Sequence, residues 1–375
     1  MMKKLVSYLV AFVFVGFAFI SCKTDFDINA PYKPIPIIYG LLDQSQDTQF
    51  VKINKSFIGD GNNVDYASIN DSVLFSNISA RVEQYAPGFS SPFKVYDLQE
   101  LWVGNLQSGI FYSDSQKVYY FIPDAPLNDE HMYQLVVSVD DLEEDITAQT
   151  YLLDGSGLSF DYLFSLALGI NGLNLADVNL GTSDVFYSPQ IKWNTAPKGK
   201  RYELIMSFRY NEVTAVGSQP KTIYWNLGTQ TAIGNGDALN DSEKMFVNLS
   251  GEQFYEMINS RLKDYSNEAQ VLKREVIAVD FIVSAGNEDL NTYIEVNEPA
   301  TGVVTERPTF TNISGDGIGL FASKYQVAVT GNLSDGSVLE LCKGPVTSGY
   351  KFCIDSTDQI TAISNLTGGE NVGCN

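Results

Sequence analysis

The chain has 375 residues, with 24 Lys and Arg against 45 Asp and Glu, a single histidine and a formal net charge of −21. So acidic a surface repels nucleic-acid phosphates, which excludes a nucleic-acid-binding role. A hydrophobic share of 44% excludes general disorder, because the apolar surface suffices to offset the entropy of ordering.

Lys3 and Lys4 precede an apolar stretch from Leu5 to Ile20, the length of a secretory signal and short of the roughly 20 residues a membrane span needs. Ala18-Phe19-Ile20-Ser21 offers no good A-x-A-like cleavage site, but Ser21 is followed by Cys22. That pair resembles the lipobox of bacterial lipoproteins, in which the cysteine is acylated and becomes the first mature residue. Phe19 stands where the lipobox usually has Leu. The resemblance implies that residues 1–21 are a lipoprotein signal peptide and that Cys22 is the lipidation site. Two or three acyl chains, at about 0.8 kcal/mol per buried CH₂, would anchor the chain permanently. Residues 22–36, with Asp25 and Asp27, then read as an acidic tether.

From there the texture is short, alternating strands. Phe50, Lys52 and Asn54 alternate with Val51 and Ile53 before a turn cluster at Gly59–Asn63. Tyr133, Leu135, Val137 and Val139 share one face of a run within Met132–Tyr151, which reads as the closing hairpin of a first sandwich. Tyr202 to Tyr210 alternate likewise, as do Ile277, Val279, Phe281 and Val283. Many strands without a regular strand–helix alternation predict a mainly β chain of two immunoglobulin- or fibronectin-like sandwiches. The expected domains are 37–153 and 154–335, hinged at Asp154–Gly157, with 336–375 as a cysteine-containing C-terminal segment. Ile191–Trp193, the Ala196–Gly199 turn and Tyr202–Tyr210 match the second and third strands of a fibronectin-type-III-like pattern. Ser250 with Gln253 is a capping-box pair, and Phe254, Ile258, Leu262 and Tyr265 follow on one face, so a helix is predicted near 250–265. A shorter helix starts near Asn287 and ends before Pro299; residues 158–186 read as an insertion.

The remaining cysteines are Cys342, Cys353 and Cys374. Gly344, Pro345 and Gly349 favour a Cys342–Cys353 bridge across a hairpin-like loop, with Cys353–Cys374 the competing pair, since spacing does not decide connectivity. No metal or cofactor site emerges. His131 is the lone histidine, so HExxH zinc chemistry is absent, and no G-x-S-x-G elbow exists to pair with it. Asp60–Asp65 has Val64 at a ligand position of a calcium loop. Gly315-x-Gly317-x-Gly319 precedes a strand-like run, so it reads as a turn shaping the second sandwich. No residue is assigned a catalytic role. Among the aromatics, Trp102 and Trp225 are the expected surface contacts and Trp193 a core residue of the second sandwich.

Ile38–Asp43, Val51–Phe57, Phe310–Ile313 and Gly315–Ser323 together resemble a Bacteroidetes family of outer-membrane lipoproteins catalogued only as a domain of unknown function. The resemblance covers roughly residues 22–330 and implies a lipid-anchored, mainly β protein, often encoded beside TonB-dependent receptors. It implies no catalytic residues. Lys23, Asp25 and Asp27 look like the surface-export signals of such lipoproteins, which implies display on the cell surface, with the periplasmic face as the alternative. The expected function is an accessory binding protein that docks on an outer-membrane receptor barrel and assists nutrient capture of a glycan or peptide. The alternative is a structural or assembly subunit without its own ligand. An exported hydrolase ranks third and would require a carboxylate pair about 5–10 Å apart in a cleft.

Overall fold

The alternating runs form strands, and one long-range pairing joins them. The structure is a computed structural model that describes residues 34–57, 69–104, 115–140, 142–177, 186–233, 244–264, 270–298 and 309–374. The leader, Cys22, the tether up to residue 33, the 60–65 loop and Tyr265 lie outside the described residues. The chain is mainly β, 47% strand against 21% helix, as period-2 alternation predicts. In chain order the strands are β1 (Pro36–Asp43), β2 (Gln49–Lys55), β3 (Ile78–Tyr85), β4 (Lys94–Asp97), β5 (Gln99–Gly104), β6 (Ser115–Phe121), β7 (Met132–Val139) and β8 (Ile146–Tyr151). They continue with β9 (Ser159–Phe160), β10 (Gln190–Asn194), β11 (Arg201–Thr214), β12 (Gly217–Thr231), β13 (Lys244–Asn248), β14 (Val271–Gly286), β15 (Ile318–Gly331) and β16 (Phe352–Cys353). The longer helices are α1 (Tyr162–Asn171), α2 (Gly251–Leu262), α3 (Glu288–Asn297), α4 (Asp335–Lys343) and α5 (Thr357–Thr367).

In the first module β1, β2, β6 and β5 lie side by side and face a second sheet ordered β4-β3-β7-β8. Ile38, Leu42, Val51, Ile53 and Phe121 of one sheet meet Val82, Tyr133, Leu135 and Val137 of the other in a shared core. β4 and β5 are nearly one run; at Leu98, whose N–H donates to the Ala80 carbonyl at 2.9 Å, the chain passes from one sheet to the other. In the second module β9 to β15 divide into β13-β10-β9 and β12-β11-β14-β15. Trp193, Tyr202, Leu204, Phe208, Val279 and Phe281 fill its core. Ser250 caps α2 by accepting from the Gln253 N–H at 3.3 Å, and Phe254, Ile258 and Leu262 are buried, as the spacing predicts. Asn287 caps α3, which ends at Asn297. Ile277 breaks the expected face: it is the extra residue where the β11–β14 register shifts between Arg209/Ala278 and Tyr210/Val276, so its side chain turns outward.

The boundary expected near 150–157 is where the cores divide, with Leu152 in the first and Leu153 in the second. The division into 37–153 and 154–335 nevertheless needs correction. β15 pairs in parallel with β1 from Ile37↔Ile318 to Asp43↔Lys324, then antiparallel with β14 from Gly286↔Lys324 to Val279↔Gly331. One sheet therefore runs through both modules. Ile313 and Phe321 belong to the first core, so the glycine-rich turn completes the first sandwich and does not shape the second. Gly319 has φ 126°, and a Cβ there would collide with the Ile38 carbonyl oxygen, so the close β1–β15 approach requires glycine.

The C-terminal segment 336–375 is part of the second module. Val338, Leu341, Phe352, Ile354, Ile363 and Val372 enter its core, and β16 pairs with β14. The bridge is Cys353–Cys374, not the favoured Cys342–Cys353. Cys342 sits on α4, capped by Ser334, with its side chain turned into the core as a free thiol. Burial pushes that thiol up to about 12, leaving it unreactive in the folded chain. Cys374 is delivered to Cys353 by a short parallel ladder in which Ile354 N–H donates to Val372 O and Cys374 N–H donates to Ile354 O. The 21-residue separation contributes about 3 kcal/mol in the chain-entropy model.

A buried ion pair fixes this segment from the other side. Arg274 on β14 is fully buried and its Nη2 lies 3.1 Å from Glu212 Oε2 on β11, while its Nη1 donates to Tyr350 O at 2.8 Å. Its backbone N–H donates to Lys351 O at 2.9 Å. Removing one member strands a buried charge. Arg274→Met is expected to cost about 3–5 kcal/mol in urea unfolding. The double variant Arg274→Met/Glu212→Leu should recover part of that loss.

Candidate functional site

The turn after β10 carries the most unusual backbone near the module junction. Gly199 N–H donates to Ala196 O at 3.0 Å, Pro197 fixes the entry, and Lys198 is held at φ 63°. A left-handed lysine costs roughly 1–2 kcal/mol relative to an ordinary conformation. Here it carries the ammonium 5.6 Å from the centre of the Tyr151 ring, at the end of β8, with Nζ donating to Asp129 O at 3.2 Å. A cleft of about 570 Å³ opens beside this pair, lined by Gln149, Thr150, Tyr151, Lys198, Lys200, Asn287, Glu288 and Asp289.

The walls come from both modules and from the N-terminal turn of α3, so the cleft exists only while the modules stay in register. Asn287 Nδ2 donates to Thr150 Oγ1 at 3.2 Å, and its backbone N–H donates to Ser323 O at 3.2 Å. Ser323 Oγ in turn donates to Tyr151 O at 2.8 Å. Asn312 exchanges hydrogen bonds with the Phe321 backbone at 2.7 and 2.9 Å and donates to Asp289 Oδ2 at 3.1 Å. Burial raises the Asp289 carboxyl above its ordinary value; the bond from Asn312 opposes this and the charge of Glu288 adds to it. A second hollow of about 360 Å³ beside α3 is lined by Arg201, Glu203, Ser284, Leu290, Ile294 and Lys324. The exposed Tyr151 ring, amides, carboxylates and a lysine can stack on a flat ligand face and bond hydroxyl or amide groups.

A second feature is the open side of the shared sheet. Ile38 and Leu42 point into the first core, so Tyr39 points out, paired with Lys52. Phe50 and Tyr120 pair across β2 and β6 with ring centres 6.3 Å apart, and Leu101 stands on the neighbouring β5. Tyr39, Phe50 and Leu101 are each at least 40% exposed. Helix α3 closes the far end, where the Tyr39 and Tyr293 hydroxyls meet at 2.9 Å.

Trp102 is exposed on β5 as expected. Trp225 is not a surface contact: it pairs with the buried Met206, which puts its ring on the core-facing side of β12, half-buried against the second core. Trp193 is buried as expected. His131 is half-buried, its Nδ1 2.8 Å from Gln84 Nε2 and its ring edge-on to Phe93. Among the described residues, no group of three His, Cys, Asp or Glu side chains could hold a metal. Sequence reasoning missed Tyr151, Lys198 and Asp289 as neighbours. The Pro197-Lys198-Gly199 turn and the Asn287 cap were visible, but their convergence depends on β15. Comparison with protein-family models and with curated proteins finds no match for this chain.

Asp289 gives the cleft a pH signature. A folded carboxyl raised above its unfolded value of about 3.9 binds its proton more tightly in the native state, so stability falls as pH rises through the interval between the two values. Asp289→Asn keeps an acceptor for Asn312 and removes the half-buried charge. The variant should melt higher than the parent at pH 7 and lose this advantage below pH 3.5, as read by calorimetry.

Proposed function

We propose that the protein is a lipid-anchored accessory subunit of an outer membrane, held by Cys22, displayed on the cell surface, and docked on a β-barrel receptor for which it helps capture nutrient. The open sheet face carries this reading. Tyr39, Phe50, Tyr120 and Leu101 share the outer face of the sheet as an aromatic-rich patch, and aromatic side chains are enriched at the centres of protein interfaces. The resemblance to outer-membrane lipoproteins supplies the partner class, a TonB-dependent receptor. A lipid anchor confines both partners to one plane, which raises effective concentration and relaxes the affinity that docking needs.

The cleft beside Tyr151 favours ligand capture over the alternative of an assembly subunit without a ligand, because its ring and polar walls suit a glycan or peptide fragment. No hydrolase is proposed, since the carboxylates lining it, Glu288 and Asp289, are neighbours on one helical turn.

Capture from mild detergent tests the reading. Native protein should bring down an outer-membrane barrel, and Phe50→Glu/Leu101→Glu should reduce its yield at least tenfold while the protein stays on the membrane. Cys22→Ser should lose palmitate labelling and leave the outer-membrane fraction. Native protein that migrates alone in every gentle extraction, yet binds or cleaves a glycan when purified, would replace this reading with an independent surface role.

A further inference from the structure

Helix α1 presents a surface that neither core absorbs. Its inner side is committed: the Phe164 ring packs edge-on against Phe281 at 5.5 Å, and Leu168 fits over Gly331, where a Cβ would strike it. The opposite stripe is apolar and open. Tyr162 is 73% exposed, Leu163 71%, Leu166 41% and Ile170 71%. At 100° per residue these four positions fall within about 100° of one another, a single face. The sequence YLFSLALGIN contains no charged residue. The capping Asp161 is itself neutralised, accepting from the Leu163 and Phe164 N–H groups and lying 3.1 Å from Lys244 Nζ.

We infer that this face of α1 rests in the lipid interface of the membrane to which Cys22 anchors the chain, as a second contact that fixes the orientation of the molecule. The inference rests on the lipoprotein reading. Charge favours lipid at this spot. A chain of net charge −21 is repelled by anionic head groups, so it can approach a bilayer only through a patch without acids. Size favours lipid over a second copy or another protein, because a stable protein interface engages roughly 20–30 residues a side and α1 offers four large apolar ones. A tyrosine at the end of an apolar helical stripe suits the interface, with the ring in the acyl boundary and the hydroxyl among head groups.

The tether permits the contact. β1 begins beside Ile318, at the opposite end of β15 from Gly331, and α1 packs at Gly331. The 14 residues of β15 span about 45 Å. Residues 22–34 reach at most about 45 Å when extended. With α1 on the bilayer, Cys22 therefore reaches the same bilayer even if β15 stands upright, and reaches it with slack if the molecule leans.

The test uses the full, acylated protein on vesicles of phosphatidylethanolamine and phosphatidylglycerol. A nitroxide is placed at Ile170→Cys or, as the control, at Glu144→Cys in the β7–β8 turn at the far end of the first module. Cys353 and Cys374 are bridged and Cys342 is buried, so the introduced thiol takes the label. At position 170 the label should collide freely with oxygen and be shielded from an aqueous nickel chelate, with at least a fivefold change in their ratio from the vesicle-free protein. At position 144 the ratio should not change. Adding Leu163→Glu should return the label at 170 to water while flotation with the vesicles persists. A water-exposed label at 170 on acylated, vesicle-bound protein overturns the inference and leaves the anchor reading intact. Missing palmitate on Cys22 overturns the anchor reading and the inference that rests on it. Shielding that appears only with an outer-membrane barrel present assigns the face to a protein and overturns the inference.

Discussion

Everything in this molecule depends on β15 being shared. Its first half is a parallel partner of β1 and its second half an antiparallel partner of β14, with Lys324 at the exchange point, facing Asp43 on one side and Gly286 on the other. Two sandwiches linked only by the Asp154–Gly157 segment would be free to rotate. Shared through a strand, they present one continuous backbone ladder that rotation would break. The tightest point of that ladder is Gly319, whose missing side chain lets β15 approach the Ile38 carbonyl. Asn312 and Ser314 reinforce the junction, the first clasping Phe321 and the second accepting from Thr147 N–H at 3.2 Å.

The cleft inherits its shape from this arrangement. Tyr151 ends β8 of the first module, Lys198 lies in the turn between β10 and β11 of the second, and Asp289 sits on the helix between β14 and β15. None of the three is near another in sequence. The left-handed Lys198 and the raised Asp289 carboxyl are local costs that the surrounding ladder supports, the pattern expected where a site trades stability for presentation.

Local signals in the sequence were sound because they depend on periodicities the backbone enforces. Tyr133 to Val139 and Tyr202 to Tyr210 bury the face that alternation assigns, and Ser250 caps the helix that its spacing announces. The signals failed where pairing is long-range or a register slips. The glycine-rich turn at 315–319 carries no local sign that it serves residues 280 positions earlier. Ile277 keeps a perfect alternation and still turns out, because a bulge inserts it. Cys342 looked like one side of a loop bridge because glycine and proline follow it, whereas the Ser334 cap before it had already set a helix that turns its thiol inward. Trp225 lies on an edge strand, yet pairing with Met206 decides its face.

Native-state hydrogen exchange of the full chain tests the shared strand most directly. If β15 unites the modules, the amides of β1 from Ile38 to Leu42 should exchange with the same free energy and the same denaturant dependence as those of β14 from Val279 to Val283. Gly319→Ala should lower both together. Exchange from β1 and the other first-module strands through a separate, less costly opening, with β14 unaffected by Gly319→Ala, would contradict the account.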